Sequence, residues 1–258
     1  MIHEKLDEHG VAELVVDNPP VNAFDLASID ALISALRGYG SPDSGVRAVV
    51  LRGEGRGFCG GGDVKEVQRL PGYEGILGQI HGSQNLTLAI AECPVPVIGA
   101  IHGYCIGLGV LVAGVCDILL ASPGTPFVLA EADNGATSGI IQAIGLMPEK
   151  RLRAALFTCE PVPAEELAAF GSVLRLVDPE ELPSAALALA HTVAGKRTAV
   201  IRGLKSAMAG SIGRDIRTAY RQELSYTLEL NMSGEARDAR SDFTEHRRPG
   251  YLHGESGN

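Results

Sequence analysis

The sequence predicts an α/β protein, with strands covered by helices over roughly the first three quarters of the chain and a helical tail after them. Three observations carry this. Short β-branched apolar runs recur, each followed by glycine-rich turn chemistry and then by apolar residues at helical spacing. From about residue 140 the strand pattern thins and helical periodicity takes over. The chain has 258 residues, 45% hydrophobic and 21% charged, enough for one large buried core and unlike a disordered or disulfide-stapled chain. The expected division is a core over 1–195, a helical region over 196–248 and a frayed tail over 249–258.

The elements follow in order. Residues 11–16 read as a strand, closed by the turn chemistry of Asn18, Pro19 and Pro20. Leu26, Ile29, Leu32, Ile33 and Leu36 mark one face of a helix, with Asp25 or Ser28 near its start and Gly38 past its end. Residues 46–51 form the next buried strand and lead into the glycine-dense loop 53–62. Asp63 with Glu66 resembles a capping box opening a helix through Val64, Val67 and Leu70. Ile76, Ile80, Leu86 and Ile90 mark another helix until Pro94 and Pro96 interrupt it, and 97–101 returns as a strand. A second glycine-bearing turn, 103–109, opens an apolar helix to about Gly114, followed by a strand over 117–121. Beyond residue 140, helices are expected over 149–156, 164–170, 180–193, 199–209, 215–230 and 235–246, with a strand at 173–177.

Composition excludes several functions. The 22 Lys and Arg against 31 Asp and Glu give a net charge of −9, which argues against a nucleic-acid surface, because phosphate neutralisation needs clustered cations. The five cysteines include no C-x-x-C pair and read as reduced core thiols. The seven histidines show no metal-binding spacing, so no metal site is expected. Neither a basic-then-apolar leader nor an uncharged span of roughly 18 residues appears, so neither a membrane nor export is expected, and the cytoplasm is the expected location.

Two constellations carry candidate chemistry. Gly55, Gly57 and Gly60 satisfy the dinucleotide fingerprint G-x-G-x-x-G between a strand and a helix. Asp63 opposes that use, since its carboxylate would occupy the helix N-terminal amides that a pyrophosphate needs. Alternatively, the exposed main-chain N–H groups of such a loop hold a developing oxyanion. The segment His102 to Gly109 repeats the design, and its amides precede a helix, at the positive end of the dipole. For either loop alone, glycines that merely permit tight turns are the competing explanation.

The successive segments Gly53-Glu54-Gly55-Arg56-Gly57-Phe58-Cys59-Gly60-Gly61-Gly62-Asp63, Pro94 to Tyr104, Gly107-Leu108-Gly109, Cys116 to Ser122, Phe127 to Glu131 and Phe170 to Val173 resemble the signatures of the crotonase (enoyl-CoA hydratase/isomerase) superfamily. The resemblance runs in order over about residues 5–248. It implies a crotonase-type spiral of repeated ββα units with a C-terminal helical trimerisation region, in a homotrimer or dimer of trimers. It also implies an acyl-CoA substrate and no cofactor beyond that CoA.

Position by position, the resemblance implies oxyanion-hole amides at Gly60 and Leu108 and a catalytic acid/base at Glu131. Leu108 departs from the family's glycine, so its isobutyl group must turn away from the thioester. The family's first hydratase glutamate falls on Leu111, which carries no proton, so simple hydration is disfavoured and a hydratase stands, with an isomerase, only as the alternative. Apolar neighbours such as Phe127 and Leu129 should raise the pKa of Glu131, which suits a general base. One acid plus a hole serves either a double-bond shift in an enoyl thioester or the ring-opening hydrolysis of a cyclic β-diketone. Residues 54–68, 131–136 and 228–234 resemble a subgroup that opens the steroid C/D rings in actinobacteria, which favours hydrolysis. A non-catalytic CoA- or RNA-binding member is the reading from another class.

Asp133 is placed either on a strand face beside Glu131 or as a turn cap. His102, Tyr104 and His81 lie near the turns or the pocket and are not assigned a catalytic role. For the coenzyme, the resemblance points to Phe243, His246, Arg247 and Arg248, with Arg56 and Lys65 beside the first turn, since guanidinium groups suit phosphates. The acyl pocket is expected to draw on residues 70–83 and the C-terminal helices.

Overall fold

The computed structural model describes residues 1–211, 225 and 227–236, and the chain divides into two compact units, Met1–Ala194 and Gly195–Asn258. In the first unit the main sheet has the spatial order β1 (Ile2–Leu6), β2 (Val11–Val16), β3 (Ala48–Gly53), β4 (Val97–Ile101), β6 (Ile118–Ala121) and β9 (Arg175–Leu176). A second sheet has the order β5 (Cys105–Ile106), β7 (Pro126–Val128) and β8 (Val162–Pro163). In the main sheet β1 is antiparallel to β2, and every later pair is parallel. Leu14 lies opposite Leu51, Leu51 opposite Gly99, and Gly99 opposite Leu119.

Alternation along these strands feeds two cores. Leu14, Val16, Val49, Leu51, Val97 and Ile101 join one cluster with α1 (Leu26–Gly38), α3 (Glu74–Ala91) and α4 (Leu108–Val115). Val11, Ala48, Val50, Ile98, Ala100 and Leu120 join the other with α8 (Leu182–Ala194). The alanines at 186, 190 and 194 let α8 close onto the alanines of the sheet. A parallel sheet buried on both faces explains why its central strands read as unbroken apolar runs. β1 was not expected: Ile-His-Glu-Lys-Leu is an edge strand that is mostly exposed, so no apolar run announces it.

Local capping differs in detail from expectation. Asp25, not Ser28, caps α1, accepting from Ser28 N–H at 2.8 Å. Asp63 caps α2 (Val64–Arg69) through Lys65 and Glu66 N–H, but Glu66 does not close the box. Its carboxylate instead accepts from Leu26 N–H at 2.9 Å, tying the start of α1 to α2. The strand expected at 46–51 is shifted to Ala48–Gly53, and that at 173–177 shrinks to Arg175–Leu176. After α5 (Ile140–Ala143), α6 (Glu149–Thr158) and α7 (Ala164–Phe170) match the expected helices, and in the second unit α9 (Thr198–Ser211) spans that expected at 199–209. The expected helices over 215–230 and 235–246 lie largely outside the described residues.

One buried polar residue supports the first glycine loop. Asn22 has φ 53° and donates from Nδ2 to Glu54 O at 2.7 Å and Gly57 O at 2.8 Å, while its Oδ1 accepts from Asn18 N–H at 2.8 Å. Asn22→Ala removes these bonds and puts alanine in left-handed backbone, so urea unfolding should show a loss of about 2–4 kcal/mol with an unchanged m-value.

Candidate active site

Residues 57–62 and 102–109 are separate turns in sequence and one ladder in space. Phe58 N–H donates to His102 O at 2.9 Å and to Tyr104 O at 3.1 Å, Ile106 N–H donates to Cys59 O at 3.0 Å, and Cys59 bridges Cys105 in parallel. At Gly103 (φ 66°) a side chain would collide with Arg56 O. Complete burial pushes the Cys59 thiol up to about 12, making it a neutral packing group rather than a nucleophile.

Gly107, at φ 48°, joins a third element to this ladder. Its N–H donates to Val128 O at 2.8 Å, and Ile106 pairs with Val128, so β7 is locked beside the second turn. The chain leaving β7 therefore brings Glu131 to the N-terminus of α4. A methyl group on Gly107 would lie 3.9 Å from Glu131 Oε1 and 3.9 Å from Gly61 Cα. Both turns and the acid converge on one point.

A cavity of about 490 Å³ opens there, large enough for a small-molecule acyl group. Gly62, Leu108, Leu111, Glu131 and Gln142 line it, and Ile76 and Ile80 of α3 add an apolar wall. A smaller pocket of about 230 Å³ lies beside Arg52 and His102. Its groups are already occupied: Arg52 pairs with Glu13 and Glu54, and His102 Nε2 donates to Gly55 O at 2.9 Å.

The oxyanion donor expected at Gly60 needs correction. Gly60 lines the cavity, but its N–H donates to Val21 O at 2.8 Å and is not available to a ligand. The loop runs in register with Phe24, which donates to Gly61 O at 2.8 Å and accepts from Asp63 N–H at 2.9 Å. Extended backbone alternates its N–H directions, so Gly62 N–H points away from Phe24, and among the described residues it has no protein partner. Leu108 is the first residue of α4, where a helix leaves its N–H unclaimed. Its side chain is 7% exposed and belongs to the main core cluster.

Glu131 is 7% exposed, and its Oε2 has no hydrogen-bond partner among the described residues. Burial raises its pKa above the ordinary value of 4.5. It sits in a turn, where its main-chain O accepts from Asn134 N–H at 3.1 Å and Ala136 N–H at 2.9 Å. Asp133 lies exposed on the same turn, so strand alternation with Glu131 does not apply. A methyl group on Gly139 would meet Leu111 Cδ1 at 2.7 Å and lie 3.7 Å from Glu131 Oε1, so Leu111 and the acid both flank this glycine.

The remaining expected residues scatter. His81 is exposed and off the α3 stripe of Ile76, Gln79, Ile80, Ser83 and Gln84 that lines the cavity. Arg56 and Lys65 are exposed and do not line it, though Lys65 neighbours Val64, which does. Phe243, His246, Arg247 and Arg248 lie outside the described residues. Among the described residues no group of three His, Cys, Asp or Glu is placed to hold a metal, and no helix is long and apolar enough to cross a membrane. Gly62 and Gln142 were not singled out by the sequence: one is hidden in a run of three glycines, the other in a segment without a motif.

Comparison with known proteins fits this geometry. The profile of the Enoyl-CoA hydratase/isomerase family matches residues 7–254. The chain belongs to the enoyl-CoA hydratase/isomerase family. A family relative from Rhodococcus jostii, "(7aS)-7a-methyl-1,5-dioxo-2,3,5,6,7,7a-hexahydro-1H-indene-carboxyl-CoA hydrolase", is 38% identical over 94% of both chains. A protein of the same name from Mycobacterium tuberculosis is 37% identical over 92% of this chain and 96% of its own. The solved enoyl-CoA hydratase of Mycobacterium smegmatis superposes with a TM-score of 0.89 at 29% identity, covering 96% of this chain and 97% of that one. The family's crotonase-type fold is therefore shared.

For this family member, the buried acid has a measurable consequence without substrate. A carboxyl group whose pKa is raised on folding favours the fold below its unfolded pKa, and that contribution is lost as pH rises through the folded value. Glu131→Gln should therefore unfold at a higher temperature than wild type near about pH 8, by about 2–4 °C per kcal/mol gained, with the gap closing towards about pH 4 in a calorimetric series.

Proposed function

We propose that the protein is a ring-opening hydrolase of a cyclic β-diketone carried as a CoA thioester. One observation carries the reading. A single buried carboxylate, Glu131, with an unpartnered oxygen, meets two glycine turns whose Gly62 and Leu108 N–H groups have no partner among the described residues, while Leu111, which the family resemblance sets against a second acid, lines the same cavity. The names of the Rhodococcus and Mycobacterium relatives supply the substrate class.

Each group then has a defined task. Ionised Glu131 takes a proton from water as the water oxygen adds to the ring ketone carbon. The ring C–C bond on the side conjugated with the thioester breaks, and its electron pair moves into the thioester carbonyl as an enolate. Gly62 and Leu108 N–H, at the positive end of α4, hold that oxygen. Glu131 returns its proton to the carbanion carbon, leaving a new carboxylic acid and a neutral ring-opened thioester. One water is consumed and the acid is regenerated. No metal or further cofactor enters this sequence.

The coenzyme arm of the reading rests on the family resemblance and on the place of Lys65 next to the cavity-lining Val64. Lys65 and Arg56 take the near phosphates, and Phe243, His246, Arg247 and Arg248 take the adenylate end from a second subunit of a homotrimer or dimer of trimers in the cytoplasm. Steroid-derived rings suit the apolar wall of Ile76 and Ile80.

Incubation with a cyclic β-diketone acyl-CoA in ¹⁸O-water should give a product heavier by one water, with the label in the new carboxylate. Glu131→Gln should lower kcat by about 10²–10⁴-fold. Leu108→Pro deletes one donor at a helix position that accommodates proline, and should lower kcat by about 10²–10³-fold. The acid limb of the wild-type profile should lie above 4.5, since burial displaces Glu131 upward. Conversion of a small 2-enoyl-CoA to a 3-hydroxyacyl product would refute the role given to Leu111, and a bare double-bond shift would indicate an isomerase.

A further inference from the structure

Among the buried side-chain polar atoms without a hydrogen-bond partner in the described residues, two line the active-site cavity: Glu131 Oε2 and Gln142 Oε1. Both are acceptors. A buried acceptor left without a donor costs about 1–3 kcal/mol, so two facing one cavity indicate a site built to receive donors.

The setting of Gln142 is unusual for a short helix. In α5 the isoleucines at 140 and 141 are 53% and 74% exposed, while the glutamine between them and the buried Ala143 puts its amide oxygen inside. Polar-in and apolar-out inverts the pattern that burial alone would select. The inversion is held firmly. Ala143 N–H donates to Gly139 O at 3.0 Å, and the main-chain oxygen of Gln142 packs so closely on Gly114 of α4 that a side chain there would collide with it. Gly139, at the start of α5, is the residue packed against both Leu111 and Glu131 Oε1. Hence α5 delivers a neutral acceptor to the same end of the cavity as the acid.

We infer that Gln142 holds the nucleophilic water together with Glu131. The inference rests on the hydrolytic reading above and names how the water is placed. A ketone offers only acceptors and gains nothing from two more, whereas a water carries two donors, one for each oxygen. With one O–H on Glu131 Oε2 and the other on Gln142 Oε1, the water's lone pairs are left to face the ring ketone in the cavity. During attack the first proton passes to Glu131 and then to the carbanion carbon. The second stays on the new carboxylic acid and leaves to solvent when that acid ionises. Leu111 packs its hydrocarbon beside the pair and competes for neither hydrogen, so a single acid is sufficient.

The test compares two reactions of the same protein. Ring opening of a cyclic β-diketone acyl-CoA needs the held water. Deuterium exchange at the α-carbon of a 3-enoyl-CoA in D₂O needs Glu131 and the main-chain donors only. Gln142→Met keeps the volume and removes the acceptor. It should lower kcat for ring opening by about 10²-fold, the scale of a misplaced reactant, with KM and exchange changed by less than about threefold. Gln142→Glu, which restores an acceptor, should recover at least about tenfold of that loss. If Gln142→Met opens rings at the wild-type rate, or if opening and exchange fall together, the water-holding role is wrong and the hydrolytic reading stands. If wild type exchanges deuterium but opens no cyclic β-diketone, the hydrolytic reading itself fails and this inference falls with it.

Discussion

The site depends on a main-chain ladder between two glycine-rich turns. Phe58 bonded to His102 and Tyr104, and Ile106 bonded to Cys59, fix the backbones of both turns before any side chain is considered. The amides proposed as donors, at Gly62 and Leu108, lie only a few residues beyond these bonds, so the ladder limits how far they can move apart. This is the condition under which hydrogen-bond donors stabilise a developing charge without reorganising. Gly103 permits the approach, since the carbonyl of Arg56 occupies the space of its missing side chain.

The same ladder places the acid. Gly107 N–H on Val128 O extends it to β7, so the carboxylate arrives at the start of α4 through three residues of chain rather than through side-chain contacts. The acid is thereby held in an apolar enclosure that raises its pKa, which works against the fold at neutral pH and suits proton transfer. Glu131 and Gln142 each bring an orphaned oxygen to the cavity, whereas the other such atoms among the described residues, on Ser122, Thr125 and Arg202, do not line it.

Legibility in the sequence tracks how local each cause is. α1 was readable because Leu26 to Leu36 repeats at helical spacing behind an Asp cap, and β2 and β4 because strands buried on both faces are continuous apolar runs. β1 was not, since an edge strand needs no apolar face. Ile76 and Ile80 fit a helical stripe, but they line a cavity instead of a core, and spacing cannot tell the two apart. Leu111, by contrast, was legible as the loss of a second acid through the family resemblance, which sets it against a glutamate; residue type then shows without coordinates that it carries no proton.

By itself, the sequence determined the α/β class, the two glycine turns, the solitary Glu131 and the family to which all of these belong. The class and the turns follow from residue type and short-range order, and the singling out of Glu131 from the family resemblance of the ordered segments. Only the tertiary structure decided that the N–H of Gly62, and not that of Gly60, is left unclaimed among the described residues, and that Gln142 brings an unpartnered oxygen to the cavity that Glu131 lines. The physical reason is that a hydrogen bond has one direction. Three consecutive glycines are chemically alike until Val21 and Phe24 claim the N–H groups of Gly60 and Asp63 and the carbonyl of Gly61, and those partners lie far away in the chain.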